Sequence, residues 1–226
     1  MASFRAHFSL GILLGIAAVA GIVSFALADD SSFFIAVFVA AVIGGIMPDM
    51  DSDSGIPFHV TFGVLSCIAG SLALLHVMHT TSHDYQLLVG WPVGAMFLVW
   101  VVGGAIFKQL TRHRGMVHSI PAALLSGLVT FMISQKYGFT ESDAFLLSVA
   151  LTIGFIGHLV LDEMWAAVNF HGVPFVPNKA FGSALKLFSH SKLTNIIVYG
   201  LVLFFLAGNW ESLSHLSEVL IATVHE

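Results

Sequence analysis

The most unusual stretch of the sequence is residues 113–119, which read His-Arg-Gly-Met-Val-His-Ser. This stretch places two imidazoles, one guanidinium and one hydroxyl at the start of an apolar run. Imidazoles bind transition metals, and a guanidinium can hold two oxygens of a phosphate. Only 9% of all residues are Asp, Glu, Lys or Arg, so an ionisable cluster beside hydrophobic spans is a candidate functional site.

Three other segments combine His or carboxylate side chains with the ends of apolar runs. His7 precedes the first run, and His158 and Asp162 lie four residues apart near the end of the sixth. On a helix that spacing places both side chains on one face, with Cβ atoms about 5–6 Å apart. After Pro48, a loop can turn alternate carboxylates toward one point. These carboxylates belong to Asp49, Asp51 and Asp53.

The composition indicates a polytopic membrane protein. Of the 226 residues, 57% are hydrophobic, whereas soluble domains are about 45–50% apolar. A helix needs about 20 apolar residues to cross the hydrocarbon, and seven runs approach that length. They cover residues 8–28, 33–48, 58–78, 86–107, 119–135, 144–166 and 193–208. The first run is longer than the apolar core of a signal peptide and further spans follow it, so we expect it to be a retained helix.

We therefore predict an all-α fold, a polytopic membrane helix bundle of about seven transmembrane helices. Residues 1–208 would form a single transmembrane domain, with an interfacial loop or helix over 169–192 and a short polar tail over 209–226. Small residues such as Gly11 and Gly15 are spaced for close helix contact, but they do not distinguish packing within the chain from dimerisation, so the oligomeric state stays open.

The seven spans bring all four unusual segments to the side of the membrane that holds the N-terminus. The same side carries most of the cations, namely Arg5, Lys108, Arg112, Arg114, Lys179, Lys186 and Lys192. The other side carries only Lys136. By the positive-inside rule we predict that the N-terminus and the four segments are cytoplasmic.

We predict a metal site at this cytoplasmic end of the bundle. Its candidate ligands are His7, Asp49, Asp51, His113, His118, His158 and Asp162. Imidazole with carboxylate suits zinc first, with manganese or iron as alternatives. The chain has one cysteine, Cys67, so a cysteine-based zinc knuckle is excluded. Seven ligands exceed the four of an ordinary zinc site, which suggests two ions, or one ion whose ligands are oriented by the remaining residues.

Each segment also has an ordinary structural interpretation. The three Asp residues could form a solvated acidic turn, and His7 could be an interfacial histidine. His158 and Asp162 could form a hydrogen bond or part of a proton relay. An EF-hand is excluded, because Ser54 and Val60 stand where its loop requires Gly and Glu.

The sequence resembles the YdjM-like family of inner-membrane proteins. The resemblance rests, in chain order, on His7, Pro48-Asp49 with Asp51, the run His113 to Ser119, and Gly157-His158 with Asp162. It implies a multi-helix integral membrane protein with a metal-dependent hydrolase activity, and some members of the family are under SOS control. A distant similarity of that family to zinc-dependent phospholipase C and P1-type nucleases implies phosphoester chemistry. Glu163-Met164-Trp165 departs from the Thr and Pro-rich turn that often follows the last Asp in the family.

We expect a metal-dependent hydrolase that cleaves a phosphoester of a lipid or lipid-linked substrate at the cytoplasmic interface. Asp53 or Glu163 would act as the base, Arg114 would hold a phosphate oxygen, and Ser119 would donate a further hydrogen bond. Aromatic and Lys residues between 169 and 192 suit contact with anionic lipid.

Other functions are less well matched by the pattern. Nucleic acid is not an expected partner, since the chain has only eight cations and no basic run. An ion- or proton-coupled transporter would place its polar groups nearer the middle of the spans. A non-catalytic membrane protein stabilised by a metal would close the coordination sphere, whereas catalysis requires an open position.

Overall fold

The computed structural model describes residues 2–51, 56–80, 85–110, 115–167, 182 and 184–216, and for residues 51, 56, 57, 109 and 110 it describes the backbone alone. All regular structure within these ranges is helical, as predicted. The helices are α1 (Phe4–Ser24), α2 (Ser31–Ile46) with a 3₁₀ turn at Met47–Asp51, α3 (Ile56–Thr80), α4 (Tyr85–Phe97), a π-helical stretch (Leu98–Gly103), α5 (Gly104–Leu110), α6 (Ile120–Lys136), α7 (Glu141–Ala167) and α8 (Lys192–Gly208). A further helix, α9, covers Trp210–Leu216.

Each of the seven predicted spans overlaps a helix, although α1 ends at Ser24, four residues before the predicted end of the first span. Five helical segments are long and apolar enough to cross a membrane, namely Phe4–Ser24, Ser31–Met50, Phe58–Thr80, Tyr85–Lys108 and Glu141–Ala167. α8 and α9 count as a sixth if the pair, bent by 63°, forms one span. α6 is apolar but has 17 residues, at the lower limit of about 17–25 for a spanning helix. The chain is therefore a polytopic helical membrane protein.

The chain divides into two compact units, and a single transmembrane domain over residues 1–208 stays a prediction. One unit contains Met1–Pro48 and Arg114–Glu226, and the other contains Asp49–His113. In the first unit, α2 packs against α1 and α7, and α6 packs against α7 and α8. In the second unit, α3 packs along α4 and the π-helical stretch. Residues with candidate chemistry on α1, α6 and α7 thus belong to one unit.

Glycines let three helices of the first unit approach closely. A Cβ atom on Gly44 would lie 2.0 Å from the Leu151 carbonyl oxygen, and one on Gly154 would lie 2.0 Å from the Ala41 carbonyl oxygen. This reciprocal contact joins α2 to α7. On the other side of α2, a Cβ atom on Gly45 would lie 3.0 Å from Cα of Gly11 in α1. These small residues therefore serve packing within the chain.

Part of the predicted polar tail is a packed helix. Leu216 of α9 is 7% exposed and belongs to a cluster with Phe131 and Ala144, because Leu213 and Leu216 share one face of the helix. His215 Nδ1 lies 2.9 Å from Glu141 Oε2 at the start of α7. Residues 210–216 of the predicted tail are therefore helical and packed, while residues 217–226 lie outside the described ranges.

The predicted interfacial segment over 169–192 is described in part. Residues 169–181 and residue 183 lie outside the described ranges. Residues 184–191 have no regular helix, and α8 begins at Lys192. Leu185, Leu187 and Phe188 are exposed, as contact with lipid would require.

Candidate metal centre

His7 is placed by the capped start of α1. The Ser3 side chain accepts a hydrogen bond from the Ala6 backbone N–H at 3.3 Å, which fixes where the helix begins. His7 lies one turn later and points into the unit, with 1% of its surface exposed. A histidine at a helix start usually reaches water, so its complete burial requires polar partners.

Those partners lie on α7, where His158 and Asp162 are one turn apart. His158 is 1% exposed and Asp162 is 0% exposed. His7 Nε2 lies 3.3 Å from Asp162 Oδ1, and the His7 ring stacks on the His158 ring with centroids 3.6 Å apart and planes at 13°. One potential ligand atom from each of the three residues lies within 4.8 Å of the other two. The structure thus brings together three of the residues singled out from the sequence.

The carbonyl of Gly45 fixes the tautomer of His158. His158 Nδ1 lies 2.7 Å from this oxygen, and a carbonyl can only accept, so Nδ1 carries the proton. In the neutral ring the lone pair is then on Nε2. Gly45 lies in the last turn of α2, where carbonyls lack an α-helical partner. Metal-binding histidines typically donate their other ring N–H to a carbonyl or carboxylate in this way. The only sequence signal for this contact is the Gly44-Gly45 pair, whose lack of side chains lets α2 and α7 approach closely.

Asp162 is held by a further main-chain donor. The Ala2 backbone N–H donates to Asp162 Oδ1 at 3.2 Å, so this oxygen contacts both the start of the chain and His7. The sequence could not predict this contact, because nearly every residue has a backbone N–H and no residue type marks the one that binds Asp162. Both contacts favour a fixed orientation of the carboxylate.

His118 lies beside this group, in the turn before α6. It is 0% exposed, and its ring centroid is 5.5 Å from that of His158. Ser119 is the N-cap of α6: its hydroxyl donates to the Met116 carbonyl at 2.5 Å and accepts from the Ala122 N–H at 3.3 Å. Because these two hydrogen bonds hold the backbone on either side of Ser119, they fix the position of the neighbouring His118. The predicted hydrogen bond from Ser119 to a phosphate stays a prediction, and in this structure the hydroxyl proton goes to Met116.

Glu163 follows Asp162 but contacts a different part of the chain. Its carboxylate accepts hydrogen bonds from the backbone N–H groups of Gly182 and Ala184, the latter at 3.2 Å. Successive residues of a helix do not face the same way, so Glu163 points away from the side of α7 that carries His158 and Asp162.

Five further residues were predicted for the site. Asp49 is in the 3₁₀ turn Met47–Asp51 and is the first residue of the second unit. Asp51 ends that turn, and its side chain is not described. Asp53, His113 and Arg114 lie outside the described ranges, so their assigned roles stay predictions.

The buried group fits a divalent cation. His7 Nδ1 is buried and has no hydrogen-bond partner among the described residues, so this nitrogen is available to bind a metal. Two charged imidazoles stacked 3.6 Å apart would repel each other strongly, so at least one ring is neutral and offers a lone pair. The 3.3 Å between His7 Nε2 and Asp162 Oδ1 suits a hydrogen bond, and it is also about the spacing of two ligands of a tetrahedral zinc ion.

The sequence matches a known protein family. A family model described as YdjM inner membrane protein matches residues 1–224, which is nearly the whole chain. No curated protein and no solved structure matches the sequence. The match agrees with the resemblance drawn from the His and Asp motifs and with the apolar helices of the fold. The chain belongs to the YdjM inner membrane protein family.

Proposed function

We propose that this protein is a metal-dependent hydrolase that cleaves a phosphoester of a lipid or lipid-linked substrate at the cytoplasmic face of the inner membrane. The observation that carries the proposal is the buried group of His7, His158 and Asp162, with His118 beside it. Its residues come from the start of α1, the start of α6 and the last turns of α7, so they gather at one end of these helices.

A bound cation would account for the position of Asp162. A carboxylate buried in an apolar helix bundle is costly unless it is paired or binds a metal. Zinc is the first candidate, because two or three imidazoles and one carboxylate form a usual zinc ligand set, and manganese and iron are the alternatives. One or two such ions would supply Lewis acidity and lower the pKa of a bound water to about 7.

The residues of the chain would orient this chemistry. Gly45 holds His158 with Nε2 as its lone-pair atom, and Ala2 holds one oxygen of Asp162. Arg114 would hold the phosphate, and Asp53 would orient or deprotonate the attacking water, as predicted from the sequence. A site at the ends of the helices suits a substrate whose phosphate lies at headgroup depth, which is why we favour a lipid or lipid-linked phosphoester over a soluble one.

A second function is favoured by the burial of the group. His7, His118, His158 and Asp162 are each at most 1% exposed within the part of the chain that is described. A closed coordination sphere is typical of a structural metal, whereas a catalytic ion keeps an open position. The second candidate is therefore a non-catalytic membrane protein whose helices are held together by the metal.

Elemental analysis of the detergent-purified protein is the first test. We would compare the wild type with a His118→Ala, Asp162→Ala double variant and with a His215→Ala, Glu141→Ala control. The control removes another His and carboxylate pair, with side chains that are 66% and 40% exposed. We expect the wild type and the control to carry zinc, manganese or iron and the double variant to lose it.

Phosphodiesterase and phospholipase assays in mixed micelles then separate the two functions. Turnover that depends on the metal and is lost in the double variant supports the hydrolase. Bound metal without turnover, together with a lower melting temperature after chelation, supports the structural role. A wild type that binds no divalent ion after reconstitution would exclude both functions.

A further inference from the structure

We infer that Glu163 is a positioning residue, which anchors Gly182 and residues 184–188 to α7 and thereby strengthens metal binding through the turn that carries His118. We call Gly182 and residues 184–188 the anchored segment. The inference rests on the proposed function, since it concerns the affinity of the same site. It replaces the role of base that the sequence suggested for Glu163.

The first step of the argument is the geometry of the Glu163 carboxylate. Each of its two oxygens accepts a main-chain N–H of the anchored segment, one from Gly182 and one from Ala184. Its position on α7 turns it away from the face with His158 and Asp162, because neighbouring helix residues point in different directions. Glu163 therefore binds the chain beside the site and not the reacting groups.

The second step is the conformation of Gly182. Its φ is +80°, in the left-handed region that favours glycine, and its N–H donates to Glu163. An added Cβ atom would meet no atom within 4 Å. Replacing Gly182 by Ala would therefore strain the backbone of the anchor without creating a clash, and it would leave Glu163 itself unchanged.

The third step links the anchored segment to His118. Ala184 is 1% exposed and packs in a cluster with residues of α6 and α7, namely Ala122, Ala123, Phe155 and Leu159. Two residues further on, the Lys186 carbonyl accepts the Ile120 N–H at 3.1 Å. Ile120 is the first residue of α6 and lies two residues after His118. The anchored segment thus ties the last turns of α7 to the start of α6.

The consequence is a coupling between the anchor and the affinity for a metal. Partners that orient metal ligands typically change affinity by about 10–100-fold when they are removed. In the Glu163→Gln variant, one oxygen can still accept an N–H, but the new amide group faces a second N–H as donor against donor. The anchored segment should loosen, and His118 should lose its fixed position.

The test measures Zn²⁺ affinity and amide exchange on the detergent-purified full chain. Competition with a chromophoric chelator gives the affinity, and hydrogen-deuterium exchange reports peptides that contain Ala184 and Ile120. We expect Glu163→Gln and Gly182→Ala each to weaken Zn²⁺ binding by about 10–100-fold and to speed exchange in both peptides. Glu141→Gln, the same substitution at the other end of α7, should leave both readouts unchanged.

Several results would overturn the inference. One is that Glu163→Gln and Gly182→Ala both keep the Zn²⁺ affinity and the amide exchange rates of wild type. Another is loss of turnover in Glu163→Gln with affinity and exchange preserved, since that pattern identifies a base. If Glu163→Gln does not fold, Gly182→Ala decides alone, because its added methyl group points into open space. A wild type that binds neither Zn²⁺ nor Mn²⁺ nor Fe²⁺ marks failure of the proposed function, and this result is distinct from unchanged variants of a wild type that binds one of these ions.

Discussion

His7 of α1 stacks on His158 of α7, with ring centroids 3.6 Å apart and ring planes inclined by 13°. The stack joins the start of one helix to the last turns of another, and both rings are at most 1% exposed. Apolar residues would fill this volume at a lower desolvation cost. The two imidazoles are therefore best explained by the ability of their nitrogen atoms to bind a metal or a hydrogen-bond partner. The contacts around these nitrogens lead to four predictions.

The first prediction separates the packing of His7 from its nitrogens. His7→Phe keeps an aromatic ring against His158 but removes the contact with Asp162 and the buried Nδ1. We expect it to lower Zn²⁺ affinity by at least about 10-fold while keeping more thermal stability than His7→Ala, which also removes the stack. Metal titration and melting curves of the two variants provide the check. Equal metal affinity in His7→Phe and wild type would contradict a ligand or orienting role for His7.

The second prediction concerns the two nitrogens of His158. An Asn side chain can place its amide N–H near the position of Nδ1, so His158→Asn keeps the donor to the Gly45 carbonyl but removes Nε2. We expect this variant to lose the metal, while the metal-free protein stays within about 1 kcal/mol of wild type in unfolding free energy. His158→Ala should cost about 1–3 kcal/mol in the metal-free protein, because the Gly45 carbonyl loses its donor.

Unfolding in denaturant, with the chelator present throughout, measures the second prediction. A metal-free His158→Asn variant that is as unstable as His158→Ala would show that the contact with Gly45 contributes little.

The third prediction tests the glycine contact between α2 and α7. Gly44→Ala and Gly154→Ala would each place a methyl group 2.0 Å from a carbonyl oxygen of the facing helix. We expect each variant to be destabilised by about 1–3 kcal/mol, because the helices must move apart. Gly200→Ala in α8 is the matched control, since its Cβ atom would meet nothing within 4 Å, and it should be neutral or slightly stabilising.

Thermal melting in detergent ranks these glycine variants. Because His158 lies one turn beyond Gly154 on α7, metal affinity should fall in Gly154→Ala together with stability. The same melting temperature in Gly154→Ala and Gly200→Ala would contradict the close packing of α2 and α7.

The fourth prediction concerns metal and pH. A ligand that binds the folded state alone stabilises it, by about 2.7 kcal/mol at a concentration 100 times its dissociation constant. We therefore expect Zn²⁺ to raise the melting temperature of wild type but not of the His118→Ala, Asp162→Ala variant. Since imidazole must be deprotonated to bind, this increase should shrink on acidification. An increase that is the same at acidic and neutral pH would indicate that carboxylates alone bind the ion.

The sequence by itself determined the class of the protein and the set of residues worth testing. Helix covers most of each of the seven apolar runs, because length and hydropathy suffice to identify a helix that must satisfy its backbone in lipid. The four-residue spacing of His158 and Asp162 predicted a shared face, since the period of a helix is fixed by its backbone geometry. Hydropathy also placed His7 and this pair at the same end of their helices.

The tertiary structure decided which groups touch. The stack of His7 on His158, the bond from His158 to the Gly45 carbonyl and the anchoring of Gly182 by Glu163 all join residues far apart in the chain. The spans are apolar on all sides, so no amphipathic pattern tells which face of a helix points inward. That rotation is set by the close contact of small residues such as Gly44 and Gly154, which becomes visible only when the helices are packed together.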